Sequence, residues 1–510
     1  MTIVKLIQVL YKIKLLSPLG LYWFISSIYK SGVNLMLLLT MAEKTYSNKI
    51  AIVDENETIS YKQLLLQCEK LSIIFKENYQ VKEGQKVAFL CNNHASLVKS
   101  IFAASRLGAR LYLLNTKMSN SQFNLLVDKH NFDLIIYDME LRSYIEKSKY
   151  NEANILSYHP SLPSINNLIH KKMNKNYKIP RSSMSQIVLL TGGTTGKSKE
   201  VTHKPSILNF LNPFSTLLSR LNLLSHNTAY IATPLYHGYG IAILFSFIAL
   251  GKKVVIHDGF NAKKACCLIR KHNVEIITVV PLMIKKMLET SVVDLRSLVC
   301  IASGGAKLNP KLVEEVFGEL GDVLYNLYGT SEAGLNIIAT PQDLKYSVNT
   351  IGRVIKGVQL KILDNNKEVG NGRIGQFYIK NKWSMRNSKS HWIKTGDLGY
   401  RDHNGYYFLS GRTDDMVISA GENIYPIEVE HVLIKHPLVN DVAIIETSDD
   451  QYGQTLKAFV QPRYNENLTK EELVEWLRPK VARFQLPKDI VFVNNLPYTP
   501  LGKFDKKQLK

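Results

Sequence analysis

One glycine- and threonine-rich stretch stands out in the sequence: Leu190-Thr191-Gly192-Gly193-Thr194-Thr195-Gly196-Lys197-Ser198-Lys199. It follows the apolar run 187–189, so we predict a loop that leaves a β-strand. Glycines let the backbone approach a ligand closely, and hydroxyl and ammonium groups can bind phosphate oxygens. The residue types indicate a nucleotide phosphate loop, although a surface turn rich in Gly and Thr would have the same composition.

The end of this stretch is similar to the end of a Walker A loop, because Gly196-Lys197-Ser198 has the Gly-Lys-Ser order. That motif also needs a glycine five residues before its second glycine, and Thr191 occupies this position. No helix-opening apolar run directly follows Ser198. A P-loop NTPase is therefore not indicated.

Composition and charge set wide limits on the function. A chain of 510 residues with 45% hydrophobic residues can bury a large core and is long enough for two or more domains. The net charge of +21 suits nucleic acid, anionic lipid or an anionic substrate equally well. An odd number of cysteines without a C-x-x-C pair predicts neither a disulfide framework nor a zinc site, and favours a reducing cytosol. The cysteines are Cys68, Cys91, Cys266, Cys267 and Cys300.

The first 42 residues contain four lysines and no acidic residue. Polar residues at positions 5, 8 and 12 form one stripe on an otherwise apolar helix that we expect to end near Pro18. The run 19–28 is too short and too interrupted to span a bilayer, and no signal-peptide cleavage site follows it. We therefore predict an amphipathic extension, residues 1–32, that contacts a membrane peripherally; the alternative is that it packs on the protein's own surface.

Helical and strand patterns alternate from residue 33 to about 137, which predicts an α/β layered fold with at least partly parallel strands. Five later motifs each have a plain structural explanation when taken singly: a structural histidine, a strand-to-helix turn, a turn before a helix N-cap at Thr330 or Ser331, a hairpin and a charged tail. The motifs are Pro234-Leu235-Tyr236-His237-Gly238-Tyr239-Gly240, Ser303-Gly304-Gly305-Ala306-Lys307-Leu308, Tyr325-Asn326-Leu327-Tyr328-Gly329-Thr330-Ser331-Glu332, Thr395-Gly396-Asp397 with Gly411-Arg412-Thr413-Asp414, and Leu496-Pro497-Tyr498-Thr499-Pro500-Leu501-Gly502-Lys503.

In this order, the motifs resemble those of the adenylate-forming superfamily, which includes acyl-CoA synthetases, luciferases and the adenylation domains of peptide synthetases. The phosphate loop departs from the superfamily pattern at Gly193, Ser198 and Glu200 and keeps its lysine, Lys199. The resemblance implies an α/β fold: a large N-terminal domain of layered α/β subdomains with a small β-barrel-like segment near 345–410, then a small mobile α+β domain. We place the boundaries at 1–32, 33–411 and 412–510.

The resemblance also implies roles for individual residues. His237 would border the carboxylate pocket, and the small residues near Gly304 would form an acyl-pocket wall suited to a long chain. Asp414 would be the hinge of the small domain, and Glu332 and Thr195 would bind Mg²⁺. The implied catalytic residues are Lys503, Thr330, Glu332 and His237. The implied nucleotide-binding residues are Thr191, Gly192, Gly193, Thr194, Thr195, Gly196, Lys199, Gly304, Gly305, Ala306, Tyr328, Gly329, Asp397 and Arg412.

The function implied by the resemblance is ATP-dependent activation of a carboxylic acid to acyl-AMP, followed by transfer of the acyl group to coenzyme A, with Mg²⁺ as the metal. The acid we expect is a medium- or long-chain fatty acid. Two alternatives stay open: transfer to the phosphopantetheine thiol of a carrier protein, and a non-enzymatic protein that binds nucleotide or lipid. We expect no nucleic-acid partner, because the basic residues are scattered. The expected location is the cytoplasm, with contact to the inner face of the membrane left open.

Overall fold

A computed structural model describes residues 11, 16–170, 178–191, 199–203, 207–384, 391–419, 422–449, 453–463, 468–499, 504–505 and 508–509. Its strands, in chain order, are β1 (Ile50–Val53), β2 (Thr58–Ser60), β3 (Lys86–Leu90), β4 (Arg110–Leu113), β5 (Leu134–Tyr137), β6 (Ala153–Leu156), β7 (Gln186–Thr191), β8 (Lys199–His203), β9 (Thr228–Ile231), β10 (Lys253–Ile256), β11 (Ile276–Val279), β12 (Cys300–Gly304), β13 (Leu324–Thr330), β14 (Gly334–Ala339), β15 (Thr350–Val354), β16 (Gln359–Asp364), β17 (Lys367–Glu368), β18 (Gly375–Lys380), β19 (Ile393–Arg401), β20 (Tyr407–Arg412), β21 (Val417–Ser419), β22 (Glu422–Ile424), β23 (Val439–Asp449), β24 (Gly453–Pro462) and β25 (Asp489–Phe492).

The α-helices of the described residues are α1 (Pro18–Ser31), α2 (Leu35–Tyr46), α3 (Tyr61–Asn78), α4 (Ala95–Arg106), α5 (Asn120–His130), α6 (Arg142–Glu146), α7 (Ile165–Leu168), α8 (Ile207–Arg220), α9 (Gly238–Ala249), α10 (Ala262–His272), α11 (Pro281–Thr290), α12 (Pro310–Leu320), α13 (Pro341–Tyr346), α14 (Pro426–Leu433) and α15 (Lys470–Leu477). Short 3-10 turns lie at Met139–Leu141, Leu223–Ser225, Val293–Leu295, Thr413–Asp415 and Arg483–Gln485. Among these helices, none is both long and apolar enough to cross a membrane.

Two sheets that each contain a run of parallel strands form the layered part of the fold. One has the strand order β6-β5-β3-β4-β7-β8, in which only the β7–β8 pair is antiparallel. The other contains the parallel run β13-β12-β11-β9-β10-β1. Strands such as β11 are buried along their whole length, which explains their continuous β-branched sequence, Ile276-Ile277-Thr278-Val279. The predicted α/β layers with partly parallel strands are confirmed.

An antiparallel segment, β15 to β20, continues from the second sheet. Strand β14 pairs with β13 on one side and with β15 on the other. The antiparallel segment and the parallel run therefore form one sheet of 14 strands, which runs from β17 to β2. The β19–β20 hairpin turns at Asn404-Gly405, as predicted, with Gly405 at a positive φ of 81°. This segment is the barrel-like part that the resemblance implied.

A separate small unit follows β20. Its strands have the order β22-β21-β24-β23, with β25 paired to β24, and α14 and α15 pack on them. The unit has its own apolar core, which includes Val429, Leu456, Leu473 and Ile490. A large N-terminal α/β domain and a small α+β C-terminal domain are thus present, while the residue boundaries given above stay predictions.

The structure describes the N-terminal extension only in part. Residues 1–10 and 12–15, which include most of the helix expected before Pro18, lie outside the described residues. A helix starts at Pro18: the Ser17 hydroxyl accepts a hydrogen bond from the Gly20 amide at 3.0 Å, and Pro18 occupies the first helical position. The described cysteines are all free, and of these Cys267 is exposed while the other four are buried.

Candidate active site

A cavity of about 1640 Å³ lies where the carboxyl ends of the parallel strands meet the small C-terminal unit. Its lining includes residues from all five motifs that follow the phosphate loop, which come from widely separated parts of the chain. Among these residues are His237, Gly304, Gly305, Ala306, Tyr328, Gly329, Thr330, Glu332, Asp397, Arg412 and Tyr498. Because carboxyl ends of parallel strands form the usual ligand crevice of α/β sheets, the position is that of a binding site.

The motif at 325–332 lies on the last residues of β13 and the turn that follows. The Thr330 hydroxyl accepts a hydrogen bond from the Ala333 amide at 3.0 Å, as an N-cap would, but the chain turns back into β14. A positive φ of 67° at Gly334 allows this reversal. The turn before a helix suggested by the residue types alone is therefore wrong: Thr330 and Glu332 lie at the tip of a β-hairpin that lines the cavity.

One wall of the cavity is a hydrogen-bonded trio from three strands. The Tyr328 hydroxyl donates to Asp397 Oδ2 at 2.6 Å, and Arg412 Nη1 donates to Asp397 Oδ1 at 2.8 Å. Burial, and then the Asp397 carboxylate, raise the pKa of Tyr328 well above its usual value, so the phenol stays protonated and remains a donor. Arg412 also reaches Asp414 Oδ2 at 3.4 Å. The Asp397 carboxylate is thus held in one orientation beside the cavity, and the predicted hinge residue lies two positions after its arginine partner.

The small residues at the end of β12 line the cavity, and the backbone at Gly304 is also closely packed. A Cβ atom at Gly304 would lie 3.1 Å from the Leu327 carbonyl oxygen and 3.4 Å from the Tyr239 ring. The Tyr239 hydroxyl donates to the Ala302 carbonyl at 2.7 Å, which fixes the ring there. Gly305 has a positive φ of 81°, a conformation that favours glycine. Gly304 therefore serves close packing and Gly305 serves the turn of the backbone, while an acyl-pocket wall suited to a long chain stays a prediction.

The turn that carries His237 is fixed from a distance by Asn93, a residue that sequence reasoning missed. Asn93 Oδ1 accepts a hydrogen bond from the Leu235 amide at 2.8 Å, and Asn93 Nδ2 donates to the Thr233 carbonyl at 3.0 Å. His237 occupies the N-cap position of α9 without capping it through its side chain, and it lines the cavity. Gly240 permits the tight turn, because a Cβ there would lie 2.3 Å from the Pro234 carbonyl oxygen.

In the loop that holds Asn93, Cys91 and His94 form a buried cluster with Asp138, which follows β5, and the ligand atoms of the three lie close enough to bind a metal ion. Its geometry is that of a hydrogen-bonded pair. His94 Nδ1 accepts from the Leu97 amide at 3.0 Å, and Nε2 lies 2.8 Å from Asp138 Oδ1. Burial alone would lower the pKa of His94, but the Asp138 carboxylate raises it above its usual value. Both ring nitrogens are used within the protein, so the cluster supports the Asn93 loop.

Lysine side chains link the large domain to the small C-terminal unit at the edge of the cavity. Lys311 Nζ donates to the carbonyl oxygens of His436 and Val439 at 2.9 and 2.7 Å. Lys307 Nζ lies 3.7 Å from Glu430 Oε2. No motif marks these contacts in the sequence, because each lysine pairs with a residue more than 100 positions away.

Several predicted site residues cannot be compared with the structure. The phosphate-loop residues Gly192, Gly193, Thr194, Thr195 and Gly196, and the predicted catalytic Lys503, lie outside the described residues. Thr191 ends β7 and Lys199 begins β8, which places the phosphate loop between two paired strands, but their side chains are not described. Asp414 lies in the 3-10 turn after β20.

The donor set at the hairpin tip fits a hard divalent cation. Glu332 offers carboxylate oxygens and Thr330 a hydroxyl oxygen, and both residues line the cavity. Oxygen donors of this kind are the ligands that Mg²⁺ prefers. Thr195, the second predicted ligand, lies outside the described residues.

Comparison with known proteins agrees with the fold and the motifs. Residues 39–387 match the family described as AMP-binding enzyme, and residues 428–503 match the AMP-binding enzyme C-terminal domain. The chain is 27% identical to the 2-succinylbenzoate–CoA ligase of Bacillus subtilis, over 91% of this chain and 95% of the relative.

Two solved structures have the same fold. The Bacillus subtilis O-succinylbenzoate coenzyme A synthetase in complex with ATP and magnesium ion has a TM-score of 0.77 and 25% identity, covering 92% of this chain and 98% of that one. The amide bond synthetase McbA of Marinactinospora thermotolerans has a TM-score of 0.83 at 20% identity, covering 93% and 99%. The names of these relatives mention no fatty acid, membrane or carrier protein. The superfamily resemblance read from the motifs is confirmed: the chain belongs to the AMP-binding, adenylate-forming enzyme family.

Proposed function

We propose that the protein is an AMP-forming acid–CoA ligase that uses ATP and Mg²⁺. The observation that carries this proposal is the meeting of five sequence motifs around one cavity, with the Tyr328–Asp397–Arg412 trio on one wall. The CoA ligase and the ATP- and magnesium-bound synthetase among the relatives support the same co-substrates. A cytoplasmic location is part of the proposal.

In this proposal each described residue has a task that its geometry allows. The Asp397 carboxylate, oriented by Tyr328 and Arg412, accepts hydrogen bonds from the ribose hydroxyls of ATP. The close packing at Gly304 lets the backbone approach the adenine. Thr330 and Glu332 face the phosphates, and Glu332 would hold Mg²⁺, whose charge offsets that of the phosphates.

The two half-reactions place different demands on this cavity. A carboxylate oxygen attacks the α-phosphorus of ATP, the bond to pyrophosphate breaks, and acyl-AMP forms. The thiol of CoA then attacks the acyl carbonyl, AMP leaves, and the thiol proton passes to solvent. His237 lies on a turn that lines the cavity, and in this proposal it would border the carboxylate of the acid. Lys503 would supply positive charge in the first step, as preorganised donors do where charge develops.

The acid itself has two candidates, each with its own support. The name of the relatives favours 2-succinylbenzoate. The expected fatty acid is supported by the apolar side chains of Phe24, Leu38, Met41 and Phe245 in the cavity lining, which would suit an alkyl tail. We take 2-succinylbenzoate as the first candidate and a medium- or long-chain fatty acid as the second.

The test is ATP–pyrophosphate exchange with a panel of acids from acetate to 2-succinylbenzoate and long-chain fatty acids. Exchange that depends on one acid class identifies the substrate, and its absence with all acids would favour a non-enzymatic binding protein. Thioester yield with free CoA, compared with that from a carrier protein bearing phosphopantetheine, then identifies the acceptor. An amide bond synthetase shares this fold, so an amine belongs in the acceptor panel.

A further inference from the structure

Helix α1 exposes large apolar residues to solvent. The residues it buries completely are the small Gly20 and Ser27, and Phe24 on the same side is half-buried. Its outward side carries large apolar and aromatic residues that are between 50% (Leu21) and 78% (Tyr29) exposed: Leu19, Leu21, Tyr22, Ile25 and Tyr29. A surface helix in water normally buries its large apolar residues and exposes its polar ones. We propose that this face of α1, the α1 face, docks on an anionic lipid bilayer.

The α1 face is held in a fixed orientation on the protein. The Ser182 amide donates to the Ser31 carbonyl at 3.3 Å, and the Val33 amide donates to Ser183 Oγ at 2.8 Å. At the end of the helix, a Cβ on Gly32 would lie 2.2 Å from the Ser182 carbonyl oxygen. The outward side chains therefore stand on a supported helix, and their exposure does not come from an unattached terminus.

Charge decides between a bilayer and a second copy of the chain as the occupant of the α1 face. Exposed Lys30 lies at the end of α1 and exposed Arg181 directly precedes Ser182, which contacts that end and donates a hydrogen bond to Glu83 at 2.6 Å. Residues 1–42 add three more lysines and no acid. A symmetric dimer through this face would bring like charges together, whereas anionic lipid attracts them.

The dimensions fit a helix that lies on the bilayer. α1 has 14 residues, which at about 1.5 Å per residue is about 21 Å, shorter than a hydrocarbon core of about 30 Å. Phe24, on the inward side of α1, lines the same cavity as His237. Docking would bring the part of the cavity next to Phe24 to the lipid surface, where an acid with an apolar body dissolves. The delivery of such an acid from the lipid rests on the proposed ligase function.

Cosedimentation with lipid vesicles tests the proposal. The wild-type chain should sediment with phosphatidylglycerol-containing vesicles and less with pure phosphatidylcholine. The double variant Tyr22→Glu/Ile25→Glu should lower vesicle partitioning by about 100-fold, since each buried apolar side chain contributes about tenfold. Leu125→Glu, at another exposed leucine on α5, is the matched control and should sediment like wild type.

The outcomes separate docking from its alternatives. If the double variant sediments like wild type, or wild type stays in the supernatant, the proposal is wrong. A wild-type dimer that the double variant dissociates would assign the α1 face to a second copy and would also overturn it. Circular dichroism of the variants checks the fold. The assay needs no substrate, so a failure of the proposed ligase function would leave the vesicle result unchanged.

Discussion

Replacement of Asn93 by alanine should affect both the stability of the protein and its use of the acid. The side chain satisfies the Leu235 amide and the Thr233 carbonyl, and Asn93 itself is buried. A buried backbone group left without a partner costs about 1–3 kcal/mol, so the loss of both bonds should lower the free energy of unfolding by about 2–5 kcal/mol. The turn before His237 then loses its support, and a displacement of about 1 Å at a reacting group can cost about 10²-fold in rate.

Urea unfolding and ATP–pyrophosphate exchange measure the two effects separately. We expect kcat/KM for the acid to fall strongly in the folded Asn93→Ala protein, while KM for ATP stays near that of wild type. Asn154→Ala is the control, because the Asn154 side-chain amide donates an exposed hydrogen bond to the Glu152 carbonyl, which water can replace. If the stability falls but kcat/KM for the acid is unchanged, Asn93 is structural only. If KM for ATP rises equally, the variant has disturbed the whole cavity.

Three further variants test the rest of the site. Glu332→Gln should raise the Mg²⁺ concentration needed for half-maximal acyl-AMP formation, and an unchanged Mg²⁺ titration would count against its role as a ligand. Lys503→Ala should slow acyl-AMP formation by about 10²–10³-fold yet still convert supplied acyl-AMP to thioester; equal losses in both half-reactions would contradict its assigned role. Lys311→Met removes two charge-assisted hydrogen bonds of about 1.5–3 kcal/mol each, so small-angle scattering should detect a more open chain, with exposed Lys286→Met as the control.

Local sequence patterns predicted the elements of the fold well. Apolar β-branched runs form the buried parallel strands, and motif-bearing loops follow their carboxyl ends. The hairpin at Asn404-Gly405 followed from the turn preference of that pair. These features depend on residues close together in the chain, so the sequence carries the information directly.

The contacts that organise the site were harder to foresee, because they join residues that are far apart. Asn93 meets its partners about 140 positions later, and Lys311 meets its partners more than 120 positions later. Thr330 makes the same hydrogen bond in a hairpin as it would at a helix N-cap, so the local pattern could not distinguish the two. Gly304 was interpreted as open space because only the fold reveals that Tyr239 packs against it.

The strand path β13-β14-β15-β20-β19 joins the strand of Tyr328 to the strand of Asp397. The Tyr328–Asp397–Arg412 trio, which is the proposed ribose site, therefore lies within one hydrogen-bonded sheet. Arg412 is the last residue of β20 and precedes the predicted hinge residue. A rotation about Asp414 would change which residues of the small domain line the cavity and would leave the proposed ribose site unchanged. Nucleotide selectivity and turnover rate are then separable traits: a C-terminal domain grafted after residue 412 would alter the turnover rate and preserve the choice of nucleotide.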